Sequence, residues 1–335
     1  MNKKQFRSSL LLLLTAVIWG VAFVAQSAGM EHVGPFTFNA TRSIIGGLVL
    51  LPVIFVMDRK KSGEEKAAEK ANGRILLLGG ICCGVALAVA SAFQQIGIQY
   101  TTVGKAGFIT AMYIVIVPLL GMFFKKKVRL LVWIAVAIAV AGMYLLCMNE
   151  SFSVGAGDLL VMICALCFAV HILVIDHFSP KVDGIKMSCI QFFVAGLVSA
   201  VPALLFEQPS FPQILAAWMP ILYAGAMSSG VGYTLQVVAQ KNVNPTLASL
   251  IMSLESVVSV LAGWLLLNQQ LSSKELLGNY NMQVLGVLPS RYRKKEVKGI
   301  SRSIVRMDKN EKSDLPEIIR LELADSLIEK LHGNT

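Results

Sequence analysis

Nine apolar runs, each about twenty residues long, leave this chain few folds to choose from. They cover residues 9–28, 36–57, 75–96, 103–124, 128–148, 157–176, 187–206, 214–236 and 246–267. A helix of about 20 residues crosses the roughly 30 Å hydrocarbon core of a bilayer. In lipid every backbone polar group needs an internal partner, which leaves helices as the spanning element. The expected fold is an all-α polytopic membrane protein whose first partner is the lipid bilayer. Of the 335 residues, 55% are hydrophobic and 15% charged, where soluble domains carry about 25%. A soluble domain with one core is excluded.

The gaps between runs are mostly short, so neighbouring helices pack antiparallel. The exception is 58–74, which reads as a charged, solvated loop. Lys3, Lys4 and Arg7 precede the first run, and Ala25-Gln26-Ser27 has the small residues of a cleavage site. Eight further spans follow, so the first run reads as a retained span rather than a signal peptide.

The net charge of +10 is concentrated outside the spans, with 19 of the 50 charged side chains in the last 57 residues. No basic face with interleaved aromatics precedes that tail, so no nucleic-acid partner is expected. Basic residues instead report orientation. With the N-terminus cytoplasmic, the inner segments before the tail carry sixteen Lys and Arg, and the outer ones only Lys105 and Lys274. The expected location is the cytoplasmic membrane, multi-pass, with the N-terminus inside. The six cysteines, Cys82, Cys83, Cys147, Cys164, Cys167 and Cys189, lie in or beside apolar stretches and read as packing residues. Cys164-x-x-Cys167 has no second pair, and neither a metal nor a cofactor is expected.

An internal repeat is faintly visible. At an offset of 140, Phe93 faces Tyr233, Val103 faces Val243 and Met112 faces Met252. Units of five spans have opposite orientation in the membrane, as in inverted-repeat transporters. Gly80, Gly84, Ala88 and Ala92 make one smooth face of the third span, and Gly225, Ser228, Ser229, Gly230 and Gly232 crowd the eighth. Small faces let helix backbones approach closely.

Ionisable groups inside spans are the candidates for function. Glu255 lies about nine residues into the ninth span, on a face shared with Ala248, Met252, Ser259 and Ala262. It reads equally as a proton-coupling or substrate-amine contact and as an acceptor tying helices together. Arg42 is about six residues, roughly 9 Å, into its span, and reads as an anchor that snorkels outward ahead of the alternative, a carboxylate-binding group. His171 shares a face with Cys164 and Cys167 and reads as a cavity or helix-contact residue. Trp19 and Gln26 share a face of the first span; Gln94, Gln95, Tyr113 and Tyr233 complete the polar and aromatic candidates. Such a set, with apolar walls, suits a cavity for small amphipathic solutes. His171 and Asp176 have an H-x4-D spacing used by membrane acyltransferases, but on a regular helix they point about 140° apart. No catalytic residue is assigned.

The ordered motifs resemble the EamA-type permeases of the drug/metabolite transporter superfamily. Ala16-Val17-Ile18-Trp19-Gly20-Val21-Ala22-Phe23 is similar to the family's W-G-x-x-F start, and Arg42 with the small residues after it to its arginine region. Tyr100-Thr101-Thr102-Val103-Gly104-Lys105-Ala106-Gly107, then Pro118 and a basic turn, fit the fourth helix. Gly157-Asp158-Leu159-Leu160 is similar to the opening of the second repeat. Leu254-Glu255-Ser256-Val257 is close to its L-E-P-V, with Ser256 in place of proline. The resemblance covers about residues 9–278 and implies ten helices in two inverted five-helix repeats around a central cavity. It divides the chain into a first repeat, 1–148, a second, 157–278, and an atypical basic tail, 279–335. It implies a secondary transporter, an exporter, of small metabolites such as amino acids or related amphipathic compounds, working by alternating access, with protons or a counter-substrate as coupling partners.

The end departs from that pattern. A tenth span begins near Glu275, but the apolar stretch ends by Pro289, and about 14 mixed residues make only roughly 21 Å of helix. The tenth helix is therefore expected to be missing or altered. That leaves two rivals to a transporter: a truncated, inactive scaffold and an integral membrane enzyme.

Overall fold

The computed structural model describes residues 3–123 and 155–269. These belong to one unit, Met1–Pro289; a second, Ser290–Thr335, lies outside the described residues. The run at 128–148, the start of a tenth span and the tail 279–335 also lie outside them.

Every expected span within the described residues is helical. α1 is Lys3–Gly29, α2 Pro35–Lys60, α3 Gly63–Ala71 and α4 Gly73–Ile98. The fourth span is two pieces, α5 Val103–Thr110 and α6 Tyr113–Phe123. α7 is Ala156–Phe178, and α8, Gly184–Pro202, ends in a wide turn over Ala203–Glu207. After the short α9, Phe211–Ala216, the eighth span starts as α10, Trp218–Leu222, widens to a π-helix over Tyr223–Tyr233 and returns as α11, Thr234–Gln240. The ninth is again two pieces, α12 Pro245–Met252 and α13 Glu255–Leu267. Seven of these stretches are long and apolar enough to cross a membrane, and the interrupted eighth is the eighth expected run.

Among the described residues, large apolar side chains lie on the outside as well as in the core, and many uncharged polar ones are buried. Leu48, Leu77, Leu197, Leu204 and Leu265 are all more than half exposed, while Gln94, Gln95, Gln191, Gln236 and Asn39 are buried. That distribution fits a lipid exterior, which rewards neither hydrogen bonds nor charge. α4 packs on α7 and α8, α2 on α8 and the π-helix, and α1 on α13 and the π-helix. The small faces lie in these seams. A Cβ on Gly84 would stand 2.6 Å from Val194 Cβ and 2.7 Å from the Gln191 carbonyl oxygen. One on Gly232 would stand 2.7 Å from Trp19 Nε1, so glycine is what lets that indole reach the π-helix.

The two broken spans interrupt in the same way. Thr102 caps α5 by accepting from Lys105 N–H at 3.3 Å, and Asn244 caps α12 by accepting from Leu247 N–H at 2.8 Å. At each break the ladder tightens to three-residue bonds. Met112 N–H reaches Ile109 O, Ile114 reaches Ala111 and Val115 reaches Met112; Leu254 reaches Ile251, Ser256 reaches Ser253 and Val257 reaches Leu254. All of these correspond at an offset of 142, two residues from the register expected at 140, so Tyr113 stands opposite Glu255 and Met112 opposite Leu254. In the second break the hydroxyls of Ser253 and Ser256 bond the carbonyls of Leu250 and Ser253 at 2.8 and 2.9 Å, competing with the helical ladder. Ser256 thus sits in a break without a proline.

Segment 58–74 is not the loop expected. Gly63-Glu64-Glu65-Lys66-Ala67-Ala68-Glu69-Lys70-Ala71 is rich in helix formers and folds as α3, with Glu64 and Glu65 in its first turn complementing the dipole. Its Glu69 joins an ion cluster. Lys61 bridges Glu69, Asp183 at 3.0 Å and Asp58 at 3.3 Å; Lys186 bridges Glu69 at 2.7 Å and Asp58 at 2.9 Å. At the other end of α2, Glu207 takes the place of an N-cap side chain. Its carboxylate accepts from Phe36 N–H at 2.8 Å and from the N–H and hydroxyl of Thr37, each at 2.7 Å.

Two outcomes follow from this packing. Gly84→Leu forces a side chain into the α4–α8 seam, a class of change that costs about 1–3 kcal/mol. The thermal midpoint of detergent-purified protein should fall, while Gly63→Leu, with nothing within 4 Å of its Cβ, leaves it unchanged. The ion cluster should give an acid-side signature. Burial opposes the charge on Asp183 and Glu69, yet the lysine ammoniums hold both carboxylates below their ordinary range, joined at Asp183 by the backbone N–H groups of Ile185 and Lys186. The folded state therefore binds fewer protons than the unfolded chain. Its stabilisation is complete above the ordinary carboxylate range of about 4 and fades as pH falls through the lowered folded values. Lys61→Ala should lower the midpoint at pH 7, with the gap to wild type closing as pH falls toward 3. A gap that stays constant would give Lys61 no electrostatic part.

Candidate functional site

The two breaks meet at a small central cavity of about 30 Å³. One wall comes from α1, where Trp19, Ala22, Phe23 and Gln26 recur at helical spacing and line it together. The opposite wall is α7, whose Phe168, His171 and Ile172 share one face by the same period. Tyr113 and Glu255, the first residues of α6 and α13, close it from the breaks, and Arg42 enters from α2.

Tyr113 and Glu255 are in direct contact. The Tyr113 hydroxyl donates to Glu255 Oε1 at 2.9 Å, with both side chains buried. A bare carboxylate in this position would be costly, so the phenol is its support. Around them an aromatic cluster centres on Tyr233. Its ring lies 4.5 Å from that of Trp19 and 5.9 Å from those of His171 and Phe192, in tilted or edge contacts. The Trp19 indole N–H donates to the Ser228 carbonyl at 3.3 Å, so α1 is tied to the π-helix by both stacking and a hydrogen bond. His171 Nε2 and Gln191 Oε1 lie 3.2 Å apart.

Seven of the eight expected cavity residues come together: Glu255, Trp19, Gln26, Gln94, Tyr113, His171 and Tyr233 all line the space. Gln95 does not. It is buried behind the wall and donates through Nε2 to the Gln26 carbonyl at 3.0 Å, while its neighbour Gln94 lines the cavity and donates to the Thr110 hydroxyl at 3.2 Å. One residue is about 100° of helix, which is enough to exchange lining for support. The face expected around Glu255 is buried throughout, but it is divided between α12 and α13 rather than carried by one helix.

Arg42 departs furthest from expectation. It does not snorkel: it is 3% exposed, its guanidinium lies over the Phe38 ring at 5.9 Å, and it lines the cavity. Depth along the span suggested the surface, whereas the face of α2 decides the outcome. Phe38, Arg42, Gly46 and Leu50 follow at four-residue steps and are all buried, while Leu48, Leu51 and Phe55 face outward. Gln236, Phe168 and Thr110 also line the cavity. Gln236 was legible as the residue one turn beyond Tyr233, and Phe168 as one turn before His171.

Polar and ionisable side chains converging at mid-span between two interrupted helices define a polytopic membrane protein organised around an interior site. The comparisons with known proteins narrow that class. The EamA-like transporter family model matches residues 7–148 and again 155–288, so this chain belongs to the EamA-like transporter family. An uncharacterized transporter of Archaeoglobus fulgidus is 28% identical over 283 residues, 83% of each chain. The uncharacterized transporter YoaV of Bacillus subtilis is 21% identical, over 80% of this chain and 91% of that one. The uncharacterized inner membrane transporter YedA of Escherichia coli K12 is 24% identical, over 78% of this chain and 83% of that one. A solved crystal structure aligns with a TM-score of 0.62 over 91% of this chain and 99% of the other, at 17% identity, which speaks to the fold alone.

The Tyr113–Glu255 bond gives a direct test of the site's architecture. Tyr113→Phe leaves a buried carboxylate without its donor and should cost about 1–3 kcal/mol, read as a lower unfolding midpoint. Glu255→Gln keeps an acceptor oxygen for the phenol and should stay near wild type. The reverse order of the two variants would show that the bond does not support Glu255.

Proposed function

We propose that this protein is a secondary transporter of the cytoplasmic membrane that exports small metabolites such as amino acids or related amphipathic compounds. Alternating access moves the solute past a site at the repeat interface, the repeats being 1–148 and 157–278 and the N-terminus cytoplasmic. The observation that carries this reading is the convergence of Tyr113 and Glu255, each at the first position after a mid-span break, on one polar cavity. Interrupted helices at mid-membrane are tolerated where they line a cavity, and they are where secondary carriers place their binding groups. The matched breaks at an offset of 142 support two related halves. The inner-membrane name of a relative and the excess of basic residues in the inner segments support the location and orientation.

Within that reading Glu255 couples transport to protons or contacts a solute amine. Trp19, Gln26, Tyr113, His171 and Tyr233 form the walls and hydrogen-bonding groups that hold the solute, and Gln95 holds Gln26 in place. Proteoliposomes loaded with a mixture of amino acids test this by mass spectrometry of the exterior. Wild type should release members of the mixture faster than protein-free vesicles, and an imposed pH gradient should change the rate. Glu255→Gln, at matched incorporation, should lose the response to the gradient. An unchanged profile would remove Glu255 from coupling, and no release above protein-free vesicles would overturn the reading for this solute class.

A further inference from the structure

We propose that Arg42 is the anion-binding group of the central cavity, and that the solute it takes is an organic carboxylate with an apolar body. This rests on the cavity being a solute site, as proposed above. A guanidinium carries five N–H donors and stays charged in proteins. Arg42 is buried at 3% exposure, on the cavity wall, with the face of the Phe38 ring at 5.9 Å and the Tyr233 hydroxyl and Cys164 thiol near it. Among the described residues no hydrogen bond and no ion pair reaches it. Breaking a buried pair strongly destabilises because it leaves such a charge uncompensated, so a guanidinium held this way and turned into a cavity is a site prepared for a partner.

The cavity's own acid does not fill that role. Glu255 accepts from Tyr113 and forms no ion pair with Arg42. The remaining polar atoms add acceptors: the side-chain oxygens of Gln26 and Gln236, which are 3% and 1% exposed, have no hydrogen-bond partner. Beside them Phe23, Phe168 and Ile172 supply apolar surface. One fixed cation matches a monoanion. A phosphate carries close to two charges at neutral pH and would want a second cation, which the described lining lacks. A carboxylate instead matches the guanidinium fork oxygen for nitrogen, with its apolar body on the phenyl and isoleucine wall.

Purified full-length protein in detergent allows the test without knowing the natural solute. Benzoate, phenylpropionate and octanoate are each titrated beside their neutral amides, reading the unfolding midpoint and indole fluorescence. Wild type should be stabilised by at least one carboxylate at concentrations where its amide has no effect. Arg42→Gln should weaken that carboxylate about tenfold or more, the loss of one charge-assisted contact, while Arg42→Lys keeps the preference in weaker form. If Arg42→Gln does not fold, the carboxylate-amide comparison in wild type and Arg42→Lys decides. Equal response to every carboxylate and its amide, or a preference undiminished in Arg42→Gln, overturns the proposal. The same preparations in the proteoliposome assay keep the two readings apart. Arg42-dependent carboxylate binding without solute release leaves an anion site and removes transport; release without any carboxylate preference does the reverse.

Discussion

A bilayer offers a polar group no hydrogen bonds, so each one carried into it must be matched within the protein. The contact between Tyr113 and Glu255 answers that demand at the most demanding place, the interior ends of two interrupted helices. The breaks tighten the backbone ladder: three-residue bonds from the N–H groups of residues 112, 114 and 115, and of 254, 256 and 257, take up donors that an α-helix would have satisfied one residue further back. What remains is a pair of helix starts that aim side chains inward. The phenol and the carboxylate then satisfy one another, and the space around them becomes the cavity.

The spans themselves were legible because the signal is long and repetitive. Twenty apolar residues in a row have few alternatives, and each such run within the described residues is helical, in one to three pieces. The cavity was legible in part for the same reason. Trp19, Gln26, His171, Tyr233 and Glu255 stand out because a polar or amphipathic side chain in an apolar helix has to face protein. Their helical spacing then sorts them onto common faces.

The rest was hidden by effects that composition does not carry. Neither break contains glycine or proline at its turn: Ala111-Met112 and Ser253-Leu254 sit there, and the cause is distributed over local hydroxyl competition and packing. Gln94 and Gln95 differ by a single step of helix rotation, too fine for an apolar pattern to resolve. Arg42 was misplaced because depth was weighed before face. Segment 58–74 looked solvated because it is charged, but its charges are complementary to Asp183 and Lys186, more than a hundred residues away, and that pairing is invisible locally.

The same ion cluster explains how Arg42 is held. α2 and α8 run antiparallel and are fastened at both ends: Glu207, at the end of α8, caps the start of α2, while Asp183 and Lys186, at the start of α8, pair with Lys61 and Asp58 at the end of α2. Between the fastenings Gly47 lies against Phe193 and Gly196 against Ile44, so the two backbones approach closely. Arg42 therefore projects from a helix fastened at both ends. Glu255 projects from the opposite kind of element, a short helix after a break. A guanidinium on a cross-linked helix and a carboxylate at the start of an interrupted one thus line the same cavity, and the interrupted side is the one with fewer backbone hydrogen bonds to lose.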